Sequence, residues 1–368
     1  MKKVVSVLLA VCLTISAAAC GQDPVKKNDA ITIAMVATEK SMLDDRSFNA
    51  GTYEGIKNYA EAHKLKYKAY EPENQTNAEY LKSIDLAVKD GAKIIITPGF
   101  NFETSVFTAQ DKYPDIKFIL IDGIPNNGKE GDERVEKIGA NTCSVMFDEH
   151  EAGFLAGYSS VKEGFRKLGF LGGRAFPAVI RYGYGYIQGA EYAAKEAGLE
   201  AASIEMSFDY CGDFIASPQN QARAASWYNN GIEVIFACGG AIGLSVMAAA
   251  EAVENKWVIG VDSDQSADSA RVLTSAMKMI STSVERAISL YYDGSFPGGE
   301  SLSHGVLTDG VGLPNDFSRF KNFKEEDYNK IYAMLKDNVN GIRTGIVSDY
   351  TALLSSLNLT HVQMLEKP

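Results

Sequence analysis

Acids, aromatic rings, amides and glycines gather at a handful of points in this chain, each close behind an apolar run. The first is Asp44-Asp45-Arg46-Ser47-Phe48-Asn49, with Glu39 a few residues upstream. The second is Phe147-Asp148-Glu149-His150-Glu151, and the third is Phe208-Asp209-Tyr210-Cys211-Gly212-Asp213-Phe214. Cys238-Gly239-Gly240-Ala241-Ile242-Gly243 and Gly260-Val261-Asp262-Ser263-Asp264-Gln265 follow, and then a single lysine, Lys278. A ring stacks on a flat ligand, and carboxylates and amides read its polar rim. A glycine turn lets backbone approach a ligand closely and aims helix N–H groups at it. Each point also has a plain structural reading: a capped helix start, an acidic first turn set against the macrodipole, an inward-facing ring, an exposed lysine.

Catalysis has less support. The four histidines, His63, His150, His304 and His361, stand in unrelated contexts, and the chain has no G-x-S-x-G or Walker sequence. A pair of acids can hydrolyse a glycosidic bond, so a hydrolytic enzyme is the alternative reading. There is no C-x-x-C and no paired Cys/His spacing, so neither a metal nor another cofactor is expected.

The elements that must position these residues alternate. Runs at 31–37, 66–70, 94–96, 118–122 and 135–140 read as strands, with helical spacing at 53–63 and 77–90. A second series has strands at 167–171, 202–208, 234–238 and 257–261, and helices at 149–161, 181–197, 219–230, 241–254 and 280–293. Residues 298–313 read as irregular strand and turn, and 325–336 as a charged helix. Repeated βα units imply parallel sheets covered by helices. Small ligands bind at the carboxyl ends of such strands. Two runs of four or five strands fit two lobes better than one sheet, so the turns above are predicted to line one cleft.

The chain has 368 residues and a net charge of −11, with a pI near 5.0. That balance argues against a nucleic-acid partner. Lys2-Lys3, an apolar stretch over 4–15 and small residues before Cys20 read as a bacterial lipoprotein signal. The expectation is a signal peptide over 1–19, lipid on Cys20 and a polar tether over 20–30. That would anchor the protein to the cell membrane on its extracytoplasmic face. Of five cysteines, Cys143, Cys211 and Cys238 lie beyond the tether, an odd number that does not make a disulfide scaffold.

The segments Asp44-Asp45-Arg46-Ser47-Phe48-Asn49, Glu151-Ala152-Gly153-Phe154-Leu155-Ala156-Gly157-Tyr158, 238–243, 260–265 and 274–278 resemble the basic membrane protein family of lipoproteins. These are substrate-binding proteins of ABC transporters, of the purine nucleoside receptor type. The resemblance runs from about residue 31 to 313. It implies a type I periplasmic-binding fold, α/β, with two αβα lobes of parallel sheet joined by three crossings. The first lobe would hold 31–145 and about 266–295, and the second 146–265 and about 296–315. The segment 316–368 is assigned to neither lobe. The implied ligand is a purine nucleoside, and the implied partners are an ABC permease and its ATPase. The alternatives are an extracellular nucleoside-acting hydrolase and a ligand-sensing lipoprotein. By the same resemblance Phe48 and Phe214 would sandwich the base, and Glu39, Asp45 and Asn49 lie where its edge is read. Asp262 and Lys278 would hold the ribose, Gly240 would supply backbone, and Asp122 or Asp148 a further acid. Where the family carries Asp and two glycines, this chain reads Glu39-Lys40-Ser41-Met42, and it inserts residues around 126–133.

Overall fold

The computed structural model describes residues 30–40, 43 and 47–365. The signal and tether expectations, including Cys20, fall outside the described residues, as do Asp44 and Asp45. The chain opens with β1 (Ile33–Val36), α1 (Phe48–His63), β2 (Tyr67–Tyr70), α2 (Asn77–Lys89), β3 (Ile94–Pro98), α3 (Glu103–Lys112), β4 (Lys117–Ile121) and β5 (Thr142–Phe147). It continues with α4 (Glu149–Glu163), β6 (Lys167–Gly172), α5 (Pro177–Glu196), β7 (Ile204–Tyr210), α6 (Pro218–Asn229), β8 (Val234–Cys238), α7 (Ile242–Glu251) and β9 (Trp257–Asp262). Last come β10 (Val272–Lys278), α8 (Ile280–Tyr292), β11 (Ser301–His304), β12 (Val311–Gly312), α9 (Glu325–Lys336) and β13 (Val362–Met364).

The strands form two sheets, β2-β1-β3-β4-β5-β11 and β13-β7-β6-β8-β9-β10-β12. Setting β13 aside, the two orders are the same, so the two lobes repeat one architecture. Every pairing is parallel except β10 with β12. The central strands are continuous apolar runs because helices cover both faces: β1, β3 and β8 are buried at every residue. Helix starts follow local chemistry. Thr76 and Ser217 accept backbone N–H groups of Glu79 and Asn220, and Pro177 and Pro218 open α5 and α6.

Three elements depart from expectation. No strand forms over 135–140. Val135 is more than half exposed and Glu136 makes one isolated bridge to Asn126. The strand is β5, whose mix of Thr, Ser and apolar residues hid its burial between β4 and β11. α3 and β10 also escaped. α3 is largely polar, and β10 lies against the start of α8, where one long pattern masked two elements.

The lobe boundaries differ too. Of 266–295, β10 joins the second sheet beside β9, while α8 packs on α1 in the first lobe. Of 296–315, β11 joins the first sheet beside β5 and β12 the second. The chain therefore crosses between lobes at Asp148, at Met279 and over 305–310. These crossings are tied together: Asp148 N–H donates to His304 O at 3.1 Å, and Met279 N–H to Gly310 O at 2.9 Å. The C-terminal segment belongs with the second lobe. Glu163 accepts the N–H groups of Lys321, Asn322 and Phe323, and β13 pairs with β7.

α4 and α5 pack unusually close. Gly153 and Gly157 on α4, and Gly185 and Gly189 on α5, each face backbone of the other helix where a Cβ has no room. The C-terminal segment braces α5 from outside. Gln188 exchanges two hydrogen bonds with the Val347 backbone, and Glu191 accepts the N–H groups of Thr360, His361 and Val362.

Candidate functional site

The carboxyl ends of the two sheets face each other across a cleft of about 620 Å³. Sheet order spreads the lining along its length. On the first lobe, going away from the hinge, come Asp122 after β4, Gly99 and Phe100 after β3, Glu39 after β1, and Gln75 after β2. On the second lobe the same walk meets Lys278 on β10, Asp262 on β9, Gly240 after β8, Phe176 after β6 and Phe214 after β7. From β4 to β2 this is three strand spacings, about 14 Å.

The hinge end is charged and buried. Lys278 Nζ contacts Asp122 Oδ2, and lies 3.0 Å from Glu149 Oε1 and 3.9 Å from Asp262 Oδ1. Arg181 Nε holds the other oxygen of Glu149 at 2.5 Å. Ser47 Oγ donates to Asp262 Oδ2 at 2.6 Å, and the Tyr182 hydroxyl lies 3.3 Å from Asp262 Oδ1. The Lys278 ammonium also sits 5.1 Å from the ring centre of Phe48 and 5.4 Å from that of Tyr182. Three of these contacts, Lys278 to Asp122, Lys278 to the Phe48 ring and Ser47 to Asp262, join one lobe to the other, so the cluster is complete only when the lobes are closed.

Asp122 and Asp262 share a backbone device. Each stands at the end of the fourth strand of its sheet in the left-handed region, with φ of 54° and 64°. Aspartate enters that region more readily than most residues, and such kinks concentrate at functional sites. Burial pushes the Asp122 carboxyl up, Lys278 pulls against it, and the Glu149 carboxylate adds to the rise, to about 7. Burial pushes Glu149 up as well, but Arg181 and Lys278 outweigh it and hold Glu149 at about 2. Burial would lower Lys278, yet Asp122, Glu149 and Asp262 raise it, and it stays charged. Asp122 Oδ1 is buried and has no hydrogen-bond partner among the described residues. An unfilled acceptor of this kind is costly unless something in the cleft donates to it.

Farther out the lining turns aromatic. Phe100 and Phe176, from opposite lobes, have ring centres 4.7 Å apart, and Phe176 and Phe214 lie 5.5 Å apart. Beyond the rings the far end is polar, with Glu39, Asn74, Gln75 and Asn101.

The structure brings Glu39, Phe48, Asn49, Asp122, Phe214, Gly240, Asp262 and Lys278 to this one cleft. Asn49 does more than line it: Oδ1 accepts Thr38 N–H and Oγ1 at 3.2 Å, which fixes the turn carrying Glu39. Asp148 is not in the lining. It stands at the first crossing and accepts from Ser303 Oγ at 3.0 Å. Its neighbour Glu149 occupies the buried position instead, because one residue along a helix turns the side chain by about 100°. Sequence reasoning also missed Arg181, Tyr182, Phe100 and Phe176. For Phe176 there was a signal: an aromatic just before an N1 proline, after the first strand of the second series, at the place Phe48 takes after β1.

Residues 31–348 match the model of a family described as "ABC transporter substrate-binding protein PnrA-like". The chain is 28% identical over 310 residues to the ABC transporter nucleoside-binding protein BmpA of Lactococcus lactis subsp. cremoris, covering 78% of this chain and 83% of that one. It is 31% identical over 278 residues to basic membrane protein A1 of Borrelia garinii subsp. bavariensis, covering 74% and 76%. Among solved structures, an ABC transporter solute-binding protein from Aeropyrum pernix K1 superposes with a TM-score of 0.66 at 22% identity, over 86% of this chain and 89% of that one, a likeness of fold.

Proposed function

Because the chain belongs to the family of PnrA-like ABC transporter substrate-binding proteins, we propose that it captures nucleosides, purine nucleosides foremost, between its lobes and delivers them to an ABC permease and its ATPase. In this reading lipid on Cys20 holds it at the extracytoplasmic face of the cell membrane, and it releases the ligand unaltered. The observation that carries the reading is the buried Asp122 oxygen without a partner, set beside Lys278 and across from Asp262. Ribose hydroxyls are the donors such acceptors want. The rings beyond them, Phe48 and Phe214 with Phe100 and Phe176, offer flat apolar faces to a base. Gly240, at φ 53°, brings backbone to the same wall. Support also comes from the Lactococcus relative, which is named for nucleoside binding.

Calorimetric titration of ligand-stripped protein with guanosine, inosine, adenosine, uridine and the free bases tests this. At least one purine nucleoside is expected to bind at micromolar concentration or tighter, with no free base released on incubation. Phe48→Ala is expected to weaken binding by about 1–3 kcal/mol through lost stacking. Binding no tighter than millimolar for every nucleoside would overturn the proposal.

The electrostatics add a pH dependence with a definite sign. An acid raised to about 7 is mostly protonated at pH 6 and mostly ionised at pH 8. If ribose donates to ionised Asp122, affinity rises with pH across that window, by about tenfold for the one-unit offset on either side. Glu149, at about 2, stays ionised throughout. The profile is expected to flatten in Asp122→Asn, and a wild-type affinity constant from pH 6 to 8 would contradict the assignment.

A further inference from the structure

Arg181 and Glu149 do not line the cleft, yet together they decide where its cation sits. Glu149 opens α4, and Arg181 lies near the start of α5. They meet because the two helices touch there: a Cβ added to Gly185 would lie 2.0 Å from His150 O. The Glu149 carboxylate is fully buried, and its two oxygens have different neighbours. Oε2 accepts Arg181 Nε–H at 2.5 Å, while Oε1 stands 3.0 Å from Lys278 Nζ. Oε1 has no hydrogen-bond partner among the described residues, because the ammonium donates to Asp122 instead. Lys278 thus lies between two acids and is hydrogen-bonded to the one that faces the cleft.

Without the guanidinium that balance reverses. A buried carboxylate with a bare oxygen draws the nearest cation, and for Glu149 that is Lys278, already in contact. Asp122 then loses its hydrogen bond and its countercharge together. We infer that Arg181 is a positioning residue for ligand binding: by occupying Glu149 it leaves Lys278 to Asp122. This rests on the nucleoside reading, in which ribose hydroxyls donate to Asp122. The consequence has a sign in pH. Asp122 faces Lys278 on β10, Glu149 on α4, and Arg181 and Tyr182 on α5, with Asp262 on β9 behind Lys278. Lys278 and Arg181 favour its ionised form, and Glu149 opposes it. Loss of Arg181 removes one cation and turns the other toward Glu149, so Asp122 ionises at higher pH and the rise of affinity with pH moves upward with it.

The test is calorimetric titration of the full chain with guanosine, inosine and adenosine from pH 6 to 9. Wild type is compared with Arg181→Met, Arg181→Lys and the double variant Arg181→Met, Glu149→Gln. At pH 7 Arg181→Met is expected to bind about 10- to 100-fold more weakly, the range for disturbing a hydrogen bond to a charged group, with the deficit shrinking toward pH 9. Arg181→Lys returns a cation to Glu149, and the double variant removes the charge that would capture Lys278. Both are expected to recover most of the affinity, and both carry the test if Arg181→Met does not fold. A packing defect would weaken binding equally at every pH, and removing Glu149 as well would not repair it. If Arg181→Met binds like wild type at pH 7, or its deficit is the same at every pH, or neither companion variant recovers affinity, the positioning role is wrong and the nucleoside reading stands. If the wild type binds none of the three, the nucleoside reading itself falls and the positioning role with it.

Discussion

Lys278→Met is expected to abolish nucleoside binding and to cost about 3–5 kcal/mol of stability, the range for breaking a buried ion pair by removing one partner. Lys278 is the shared countercharge of Asp122, Glu149 and Asp262, and its side chain and those of Asp122 and Glu149 are nearly inaccessible to water. The three acids do not suffer equally. Glu149 keeps Arg181 at 2.5 Å, and Asp262 keeps Ser47 and Tyr182. Asp122 keeps no direct ion pair, only the weaker pull of Arg181. Its carboxyl already sits at about 7 with Lys278 present, and without Lys278 it rises further, so near neutral pH it takes up a proton. The folded variant then binds a proton that its unfolded chain, with an ordinary aspartate, has released. The deficit is therefore smallest at pH 5–6 and grows as pH rises toward 8. Urea unfolding at several pH values reads this directly. A loss below about 1 kcal/mol at pH 8 would show that the cluster contributes nothing net.

The second large effect belongs to the seam between α4 and α5. Gly157→Ala is expected to destabilise the protein by about 1–3 kcal/mol or more, since overpacking moves backbone as well as side chains. A Cβ there would lie inside contact distance of the Tyr186 carbonyl oxygen, with Ala190 N at 2.9 Å. The helices must part, and α5 carries Phe176 at its start and Arg181 and Tyr182 in its first turns. Affinity should therefore fall along with stability, although Gly157 does not line the cleft. Gly51 is the control. It also lies inside a helix, α1, but its added Cβ would meet nothing closer than Ile280 Cβ at 3.6 Å, an ordinary contact. Gly51→Ala is expected to stabilise by about 0.5–1 kcal/mol, the usual gain when helical glycine has room for a methyl. Thermal melts of the two variants should move in opposite directions, and a shift in the same direction would refute the seam as the cause.

How much of this could be read in advance follows from what each residue competes with. β3, β8 and β9 were legible because a parallel strand covered on both faces admits little but apolar residues. Phe48, Phe214, Gly240 and Asp262 could be assigned to one cleft because strand ends in this architecture converge, whereas Asp122 and Lys278 were reached only through the family resemblance. Asp148 and Glu149 could not be separated, since adjacent acids in a helix start look alike until the helix is oriented. Phe100 and Phe176 were hidden for another reason: aromatic residues at strand ends usually serve the core, and only the facing lobe shows that these two meet across the opening. The lobe boundaries were misplaced because pairing partners such as β5 and β11 are remote in sequence and share no pattern.

That remoteness bears on how the molecule comes into being. Ser303 reaches back to Asp148 across 155 positions, and Lys278 to Asp122 across 156. Neither lobe is a contiguous length of polypeptide, so neither is finished when its own stretch has been made. The first sheet keeps a bare edge at β5 until β11 is available, and the second keeps one at β7 until β13 arrives. Contacts of such long sequence separation are slow to form, because loop-closure entropy must be overcome before they contribute. Much of the chain must therefore be available before either lobe can close its sheet, and the same late-forming contacts that complete the sheets also complete the hinge.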